Sequence, residues 1–123
     1  MKKLIVIEYD PDVISVIRDI FETECKASNI SAEFFSSSTQ GLKRITEIFP
    51  DLIIIDLMMP NLSGFEIVKH IRADKKLKDI PIFVITGYDS PKVRQEIFSY
   101  GIDDYIPKPF DIKVFVDKVK RIL

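Results

Sequence analysis

Five side chains in this sequence are of the types that handle a phosphoryl group, although a hundred positions separate the first from the last. Glu8, Asp10 and Asp56 supply carboxylates, Thr86 a hydroxyl and Lys108 an ammonium, and each follows a short apolar run. Clustered carboxylates suit a hard divalent cation such as Mg²⁺, which prefers oxygen ligands. A carboxylate can also attack phosphorus, while a lysine and a hydroxyl stabilise the phosphoryl oxygens. Asp56 is the best nucleophile candidate among them, because a residue at the carboxyl end of a strand points into the cleft.

Each of these residues has a plainer explanation when it is taken alone. An aspartate such as Asp10 often caps a helix, and Glu8 can simply be solvated. Thr86 has the β-branched shape that strands favour, and most lysines like Lys108 lie on the surface. Only their joint placement at corresponding strand ends favours a functional site.

Short apolar runs alternate with helical patterns along the chain and predict its strands. Nearly continuous runs rich in Ile and Val lie at Leu4–Ile7, Leu52–Ile55 and Ile80–Ile85, with weaker strands expected at Ser31–Phe35 and Tyr105–Ile106. Such runs are typical of strands that are buried on both faces of a parallel sheet.

Cap residues and prolines predict where the five helices begin. The expected starts are Asp10-Pro11, Thr39 (in a helix to Ile48, before Pro50), Ser63-Gly64, Ser90-Pro91 and Asp111. The last helix is expected to bury Ile112, Phe115, Val116, Val119 and Ile122, which follow helical spacing.

These elements predict one α/β domain over residues 1–123, built as five βα units with a doubly wound parallel sheet. For this length the flavodoxin-like strand order 2-1-3-4-5 is the natural choice. Ligands in such sheets bind beyond the carboxyl ends of the strands, where strands 1 and 3 diverge. The five reactive side chains are all expected at that edge.

Composition narrows the classes of function. Of the 123 residues 46% are hydrophobic and 30% charged, with a net charge of −1, so there is no basic footprint for nucleic acid or anionic membrane. No apolar run reaches the roughly 18–20 residues of a membrane span. The apolar run after Lys3 is too short for a signal peptide, because it ends within five residues at the acidic Glu8. A single cysteine, Cys25, leaves no partner for an internal disulfide, so we expect a cytoplasmic protein.

Three segments resemble the response-regulator receiver domains of two-component signalling, of the chemotaxis type. They are PDLIIIDLMMP at 50–60 with Gly64, ITG at 85–87, and GIDDYIPKPF at 101–110. Their order and spacing match the receiver pattern along the whole chain, and taken together they are highly specific.

The resemblance implies a role for each matching residue. Asp56 corresponds to the phosphoacceptor, Thr86 to the hydroxyl that turns toward the phosphoryl group, and Lys108 to the lysine that contacts it. Tyr105 corresponds to the aromatic residue that changes rotamer with the switch, and the Lys108–Pro109 bond is expected to be cis. The chain would then be a phosphoacceptor signalling domain rather than an enzyme, with slow autodephosphorylation at most.

The resemblance also implies a Mg²⁺ site formed by Glu8, Asp56 and the backbone carbonyl of Met58, with Asp10 as a further candidate ligand. Receivers usually carry two adjacent acids after the first strand, and here Tyr9 takes the second place. A phenol is neutral near pH 7 and binds Mg²⁺ poorly. Metal affinity could be weaker, Asp10 could swing inward, or phosphorylation could be lost. We favour a working but altered site, because the other residues of the pattern are retained, namely Asp56, Thr86, Tyr105 and Lys108.

The resemblance implies partners as well. A histidine kinase or phosphotransfer protein would donate the phosphoryl group, and a downstream effector domain or protein would read the surface of helix 4, strand 5 and helix 5. The same surface is a candidate homodimer face, and no direct contact with nucleic acid or membrane is expected.

Two other functions compete with the switch. The leading one is a pseudo-receiver that binds partners without phosphorylation, which Tyr9 supports. A haloacid-dehalogenase-type phosphatase also uses an aspartyl phosphate, but it needs an acid two residues after the nucleophile, where this chain has Met58.

Overall fold

In a computed structural model, which describes residues 1–25 and 29–123, strands and helices alternate. The elements are β1 (Lys2–Ile7), α1 (Pro11–Thr23), β2 (Ile30–Phe35), α2 (Ser38–Ile48), β3 (Leu52–Asp56), α3 (Gly64–Ala73), β4 (Ile82–Thr86), α4 (Pro91–Ser99), β5 (Asp104–Pro107) and α5 (Ile112–Ile122). Within those two ranges, no helix is both long enough and apolar enough to cross a membrane.

All five strands form one parallel sheet in the order β2-β1-β3-β4-β5. The predicted α/β fold and its strand order are therefore confirmed. The register places Ile7 of β1 opposite Ile55 of β3, and Asp56 opposite Ile85 of β4. The residues that follow these strands consequently meet at one edge of the sheet.

The sheet separates two layers of the core, as the continuous apolar runs predict. Along β1, Leu4 and Val6 pack into the layer beneath α1 and α5, while Ile5 and Ile7 pack into the layer beneath α2, α3 and α4. Because side chains alternate along a strand, a strand covered on both sides needs apolar residues at consecutive positions.

Side-chain caps fix where the helices begin, close to the predicted positions. A hydroxyl or carboxylate accepts a hydrogen bond from a backbone N–H of the first turn at Asp10, Ser37, Ser63, Ser90 and Asp111. At Ser63 the cap is reciprocal, because Glu66 accepts from the Ser63 backbone. Only the start of α2 differs from the prediction, because this helix begins at Ser38, one residue before the predicted Thr39.

The predicted buried face of α5 is partly wrong. Phe115, Val116 and Val119 are buried, but Ile112 is 50% exposed and Ile122 is 40% exposed. Both lie at an end of the helix. At about 100° per residue, Ile122 has also turned roughly 70° from the centre of the buried stripe.

Candidate functional site

Two buried carboxylates lie side by side at the carboxyl edge of the sheet. Glu8 directly follows β1, and Asp56 is the last residue of the adjacent strand β3. Glu8 Oε1 accepts a 3.0 Å hydrogen bond from the backbone N–H of Asp10. Asp56 Oδ1 accepts one of 3.0 Å from the backbone N–H of Met58. Backbone donors therefore fix one oxygen of each carboxylate.

Lys108 joins the two carboxylates. Its ammonium Nζ lies 2.9 Å from Asp56 Oδ2 and 2.8 Å from Glu8 Oε2. The backbone N–H of Lys108 donates to the Thr86 carbonyl at 2.8 Å, and the peptide bond to Pro109 is cis, as predicted. The structure thus brings together three of the side chains that the sequence singles out.

The electrostatics of this cluster reflect its burial. Burial raises the pKa of Glu8 to about 7, the nearby Asp56 carboxylate adds to this rise, and the Lys108 ammonium opposes it. Burial alone would lower the pKa of Lys108, but its contacts with both carboxylates outweigh this and raise the pKa. When Glu8 is ionised, two carboxylates and one ammonium leave the cluster with an excess of negative charge.

One carboxylate oxygen in the cluster lacks a well-directed hydrogen bond. Glu8 Oε2 is fully buried and has no hydrogen-bond partner of good geometry among the described residues, although it is an ion-pair neighbour of Lys108. A buried, under-satisfied carboxylate oxygen is costly unless a cation compensates it.

The oxygen ligands in the cluster are of the kind that a hard divalent cation prefers, but they are few. In the part of the chain that the structure describes, no group of three or more acidic, His or Cys side chains is placed to hold a metal ion. The oxygens of Glu8 and Asp56 and the backbone carbonyl of Met58 are of the type that Mg²⁺ prefers, and Mg²⁺ commonly keeps several waters. These residues would hold the ion.

Neither neighbour of Glu8 provides the missing acid. Asp10 Oδ1 accepts a 2.9 Å hydrogen bond from the backbone N–H of Asp12, so its carboxylate is used as the N-cap of α1. The side chain of Tyr9 is exposed and lines a groove with residues 36–39 and 60–61. The inward turn of Asp10 that the sequence leaves open is not adopted in this structure.

Thr86 is the last residue of β4, and Tyr105 lies on the neighbouring strand β5. Thr86 is fully buried, and its Oγ1 accepts a 3.0 Å hydrogen bond from the backbone N–H of Tyr88. The Tyr105 hydroxyl donates to Asp89 Oδ1 at 2.9 Å. Burial raises the pKa of Tyr105 to about 12, and the bond to Asp89 contributes to this rise. Tyr105 is 7% exposed, so its ring already lies in a buried position.

Sequence reasoning missed Arg94 of α4. Its Nη2 lies 2.9 and 3.1 Å from the two carboxylate oxygens of Asp89, and its guanidinium stands 4.8 Å from the Tyr105 ring centroid. A cation in the exposed first turn of a helix has the same sequence pattern whether it is solvated or bound. No signal in the sequence marked this residue.

The role of Gly64 at the start of α3 is also clear only in the structure. A Cβ at this position would lie 2.6 Å from the Asp56 carbonyl oxygen and 2.6 Å from Leu57 Cα. Both neighbours are backbone atoms, so they could not move aside without displacing Asp56. Only glycine allows α3 to start this close to the phosphoacceptor candidate.

Comparison with known families identifies the fold and the class of domain. The model of the response regulator receiver domain matches residues 4–120. The chain belongs to the response regulator receiver domain family. It is thus a signalling domain of two-component systems and not a classical enzyme, as the sequence resemblance predicts.

Solved receiver domains share this fold closely. The receiver domain of the Francisella response regulator 1452 is 28% identical, with a TM-score of 0.86 over 99% of this chain and 96% of its own. Vibrio cholerae chemotaxis protein CheY4 is 24% identical, with a TM-score of 0.86 over 100% and 99%. The receiver domain of Pseudomonas aeruginosa histidine kinase PA1611, with magnesium coordinated in its active-site cleft, is 21% identical, with a TM-score of 0.84 over 98% and 95%. The last two likenesses establish the fold alone.

Curated relatives are longer than this receiver domain. The Synechocystis DNA-binding dual master transcriptional regulator RpaA is 28% identical over 123 residues, which are 100% of this chain and 49% of RpaA. The Escherichia coli phosphate regulon regulatory protein PhoB is 28% identical over 122 residues, 99% of this chain and 52% of PhoB. The receiver domain therefore spans about half the length of these two relatives.

Proposed function

We propose that Asp56 of this receiver domain accepts a phosphoryl group from the phosphohistidine of a histidine kinase or a phosphotransfer protein. One observation carries the proposal. Asp56, 4% exposed, lies at the carboxyl edge of the sheet within 2.9 Å of the Lys108 ammonium, and Lys108 also contacts Glu8. A nucleophilic carboxylate, a fixed cation and a second acid are what phosphoryl transfer to aspartate requires.

The transfer forms one bond and breaks one bond. A carboxylate oxygen of Asp56 attacks phosphorus, the P–N bond to the donor imidazole breaks, and its electron pair returns to the ring nitrogen. The Lys108 ammonium stabilises the charge on the phosphoryl oxygens, and the Thr86 hydroxyl can donate a hydrogen bond to one of them. When bound by Glu8, Asp56 and the Met58 carbonyl, Mg²⁺ supplies further neutralising charge.

The switch that follows runs through the segment between β4 and α4. If the Thr86 hydroxyl turns toward a phosphoryl group, its bond to the Tyr88 backbone changes, and Asp89 is the next residue. Asp89 holds the Tyr105 hydroxyl, so Tyr105 and the face formed by α4, β5 and α5 respond to the same movement. Phosphorylation then needs only to favour one of two arrangements of this face.

The decisive experiment is phosphorylation by a small donor. The protein is incubated with Mg²⁺ and acetyl phosphate, and its intact mass is measured. We expect one phosphoryl adduct in the wild type and none in Asp56→Asn, which keeps the shape of the side chain. An adduct that persists in Asp56→Asn would place the acceptor elsewhere.

A second candidate function is a pseudo-receiver that binds partners without phosphorylation. It is favoured by Tyr9, which replaces an acid, and by Lys108, whose ammonium already contacts both remaining carboxylates. Calorimetric titration with Mg²⁺ separates the two functions. We expect weak binding by the wild type and tighter binding by Tyr9→Asp. No adduct and no Mg²⁺ binding in the wild type would favour the pseudo-receiver.

The proposed partners follow from the family. A histidine kinase or phosphotransfer protein would donate the phosphoryl group to this domain. The phosphorylated domain would then bind an effector domain or protein, or a second copy of itself, through the α4–β5–α5 face. RpaA is described as DNA-binding, but half of its length lies outside the matched region. The absence of direct nucleic-acid contact by the receiver domain itself therefore stays a prediction, as does its cytoplasmic location.

A further inference from the structure

The strand β2 lies at one end of the sheet, and in the part of the chain that the structure describes it pairs with β1 alone. The carbonyl oxygens of Asn29 and Phe35 accept hydrogen bonds from the β1 side. The backbone groups of successive residues in a strand point to alternate sides, so those of Ile30, Ala32 and Phe34 point away from β1. Three N–H and three C=O groups therefore form an open edge.

The open edge of β2 has few of the features that keep exposed strands apart. Natural edge strands are commonly protected by proline, by lysine or by a charge that points inward. The sequence of β2, ISAEFF, contains neither proline nor lysine, and Glu33 is its one charged residue. The Arg44 guanidinium binds both oxygens of the Glu33 carboxylate, at 3.0 and 3.3 Å. Another strand could therefore pair here without meeting an unpaired charge.

The side chains of the outward residues belong to the core layer beneath α1 and α5. Ile30, Ala32 and Phe34 are partly buried and pack against that layer. Together with Phe21 of α1 they also line an open groove. The Arg18 guanidinium lies 4.7 Å from the centroid of the Phe34 ring. An added strand with apolar residues on this face would extend the core layer and cover the groove.

A second copy of β2 matches this edge in one antiparallel register. When Ala32 lies opposite Ala32 of the second copy, Ile30 lies opposite Phe34 of that copy, and the reverse. Residues with outward groups then face one another, so the two copies form six hydrogen bonds and leave no outward group unpaired. On the other face of the sheet, the Ser31 hydroxyl of each copy meets the Glu33 carboxylate of the other.

The neighbouring registers are less favourable. Each differs by two residues, because a shift by one residue would place inward-pointing backbone groups at the interface. A shift in one direction places Glu33 opposite Glu33 of the second copy, and like charges directly opposite destabilise a strand pair. A shift in the other direction leaves Phe34 with no β2 residue opposite it. The match about Ala32 is therefore specific.

We infer that the open edge of β2 is a homodimer interface, in which two copies pair antiparallel about Ala32. A two-fold axis perpendicular to the sheet relates the copies, and their five-stranded sheets become one sheet of ten strands. The carboxyl edges of the two copies point in opposite directions, so both Asp56 side chains stay accessible. The α4–β5–α5 faces lie at the two far ends. The dimer consequently does not depend on phosphorylation of Asp56.

Disulfide trapping tests the register. Ala32→Cys is made together with Cys25→Ala, which removes the natural thiol. The Cα atoms of a hydrogen-bonded antiparallel pair lie about 5.5 Å apart, which a disulfide can span. We expect mild oxidation to give a covalent dimer. Ser31→Cys in the same background is the control, because in this register the two Ser31 Cα atoms lie roughly 8 Å apart, too far for a disulfide.

Opposite charges at Ser31 test the same register without a thiol. Ser31 is exposed, so its substitution should not disturb the fold, which thermal unfolding checks. Ser31→Lys places an ammonium opposite Glu33 of the second copy, and Ser31→Glu places a carboxylate there. We expect the dimer dissociation constant, measured by sedimentation equilibrium, to fall about fivefold in Ser31→Lys and to rise about fivefold in Ser31→Glu.

Ala73 provides the matched control for net charge. It is exposed at the end of α3, and the preceding strand β3 is separated from β2 by β1. Ala73→Lys and Ala73→Glu change the net charge by the same amounts as the Ser31 variants. We expect both to leave the dissociation constant within about twofold of the wild-type value.

Three results would overturn the interface. One is a wild-type protein that sediments as a monomer up to about 1 mM, a concentration at which even weak pairs associate. Another is a covalent dimer that forms as readily from Ser31→Cys as from Ala32→Cys. The third is a wild-type dimer whose dissociation constant responds equally to charges at Ser31 and at Ala73, since the copies then pair through another face, such as α4–β5–α5.

Discussion

The Tyr105 hydroxyl donates a 2.9 Å hydrogen bond to Asp89 Oδ1, and this bond ties β5 to the segment that leads into α4. Arg94 reinforces the tie, because its guanidinium binds the same carboxylate and lies over the Tyr105 ring. The sequence resemblance implies a tyrosine that moves inward on activation. Here Tyr105 is buried and its hydroxyl is held by Asp89, so in the proposed switch Asp89 links Tyr105 to the segment that follows Thr86.

Replacing Asp89 with alanine should lower the pKa of Tyr105. The variant removes the hydrogen-bond acceptor and the negative charge that, together with burial, hold the pKa of Tyr105 at about 12. We expect that pKa to fall toward the value of about 10 for a free phenol. The phenolate absorbance is measured across alkaline pH, and subtraction of the Tyr105→Phe curve isolates Tyr105.

Asp79→Ala, at an exposed aspartate remote from this tie, is the control and should leave the curve unchanged. If Asp89→Ala titrates like wild type, the bond between Tyr105 and Asp89 does not form in solution.

The raised pKa of Tyr105 also makes stability depend on alkaline pH. Since the pKa is higher in the folded state than in the unfolded chain, its contribution is complete below about pH 10. It is lost as the pH rises toward the folded value of about 12. We expect the free energy of unfolding in wild type to fall across this range by about 2 kcal/mol more than in Tyr105→Phe. Parallel curves from urea unfolding of both proteins would contradict the shift.

Glu8→Gln should stabilise the protein at neutral pH and above. The folded pKa of Glu8 is raised from 4.5 to about 7, mainly by burial. The stability that its protonated form contributes is therefore complete below pH 4.5 and lost as the pH rises to about 7. Glutamine keeps the shape without the buried charge, so the variant should gain about 1–3 kcal/mol over wild type near pH 8 and little below pH 5.

Urea unfolding at both pH values measures the gain, and Glu22→Gln on the exposed surface of α1 is the control. A gain that is equal at both pH values would show that Glu8 is not a buried acid.

The strands and the meeting of Glu8 with Asp56 were predictable for one reason. Strands covered on both faces must be apolar at every position, so the first polar residue after each run marks the carboxyl edge of the sheet. The runs at Leu4–Ile7 and Leu52–Ile55 end directly before these two acids. In a parallel sheet those ends lie together, and the chemistry follows from residue type.

Other features depend on tertiary contacts that leave no pattern in the sequence. The helical period places Ile112 within the buried stripe of α5, but this residue lies at the start of the helix and is exposed. The contacts of Arg94 with Asp89 and Tyr105 require three elements to meet, while a solvated arginine would occupy the same helical position. Asp10 was ambiguous between helix cap and metal ligand because both uses need the same carboxylate, and the structure adopts the cap.

The contacts of Arg72 also depend on tertiary structure and leave no pattern in the sequence. Its guanidinium donates to the carbonyl oxygens of Gly101, Lys78 and Ile80 at 2.7, 2.9 and 2.7 Å, and to Asp103 Oδ2 at 3.1 Å. This joins α3 to the segments before β4 and β5. A lysine carries the charge but cannot span three carbonyls with one ammonium. We expect Arg72→Lys to lose about 2–4 kcal/mol of unfolding free energy, because carbonyls are left without donors.

Thermal and urea unfolding measure this loss, with Arg121→Lys on the exposed side of α5 as the matched substitution. A loss in Arg72→Lys no larger than in Arg121→Lys would mean that charge alone matters at this position.

Gly64 and Gly87 can be compared to test whether a glycine is required for steric reasons. In Gly64→Ala the new methyl group would meet the Asp56 carbonyl oxygen and Leu57 Cα at 2.6 Å, whereas at Gly87 a Cβ would meet no atom within 4 Å. We expect Gly64→Ala to lose about 1–3 kcal/mol of unfolding free energy, because packed backbone must shift. Gly87→Ala should stay within about 0.5 kcal/mol of wild type. The displaced Asp56 should also slow labelling by acetyl phosphate in Gly64→Ala. If both alanine variants unfold and label alike, α3 does not begin against the acceptor strand as the structure has it.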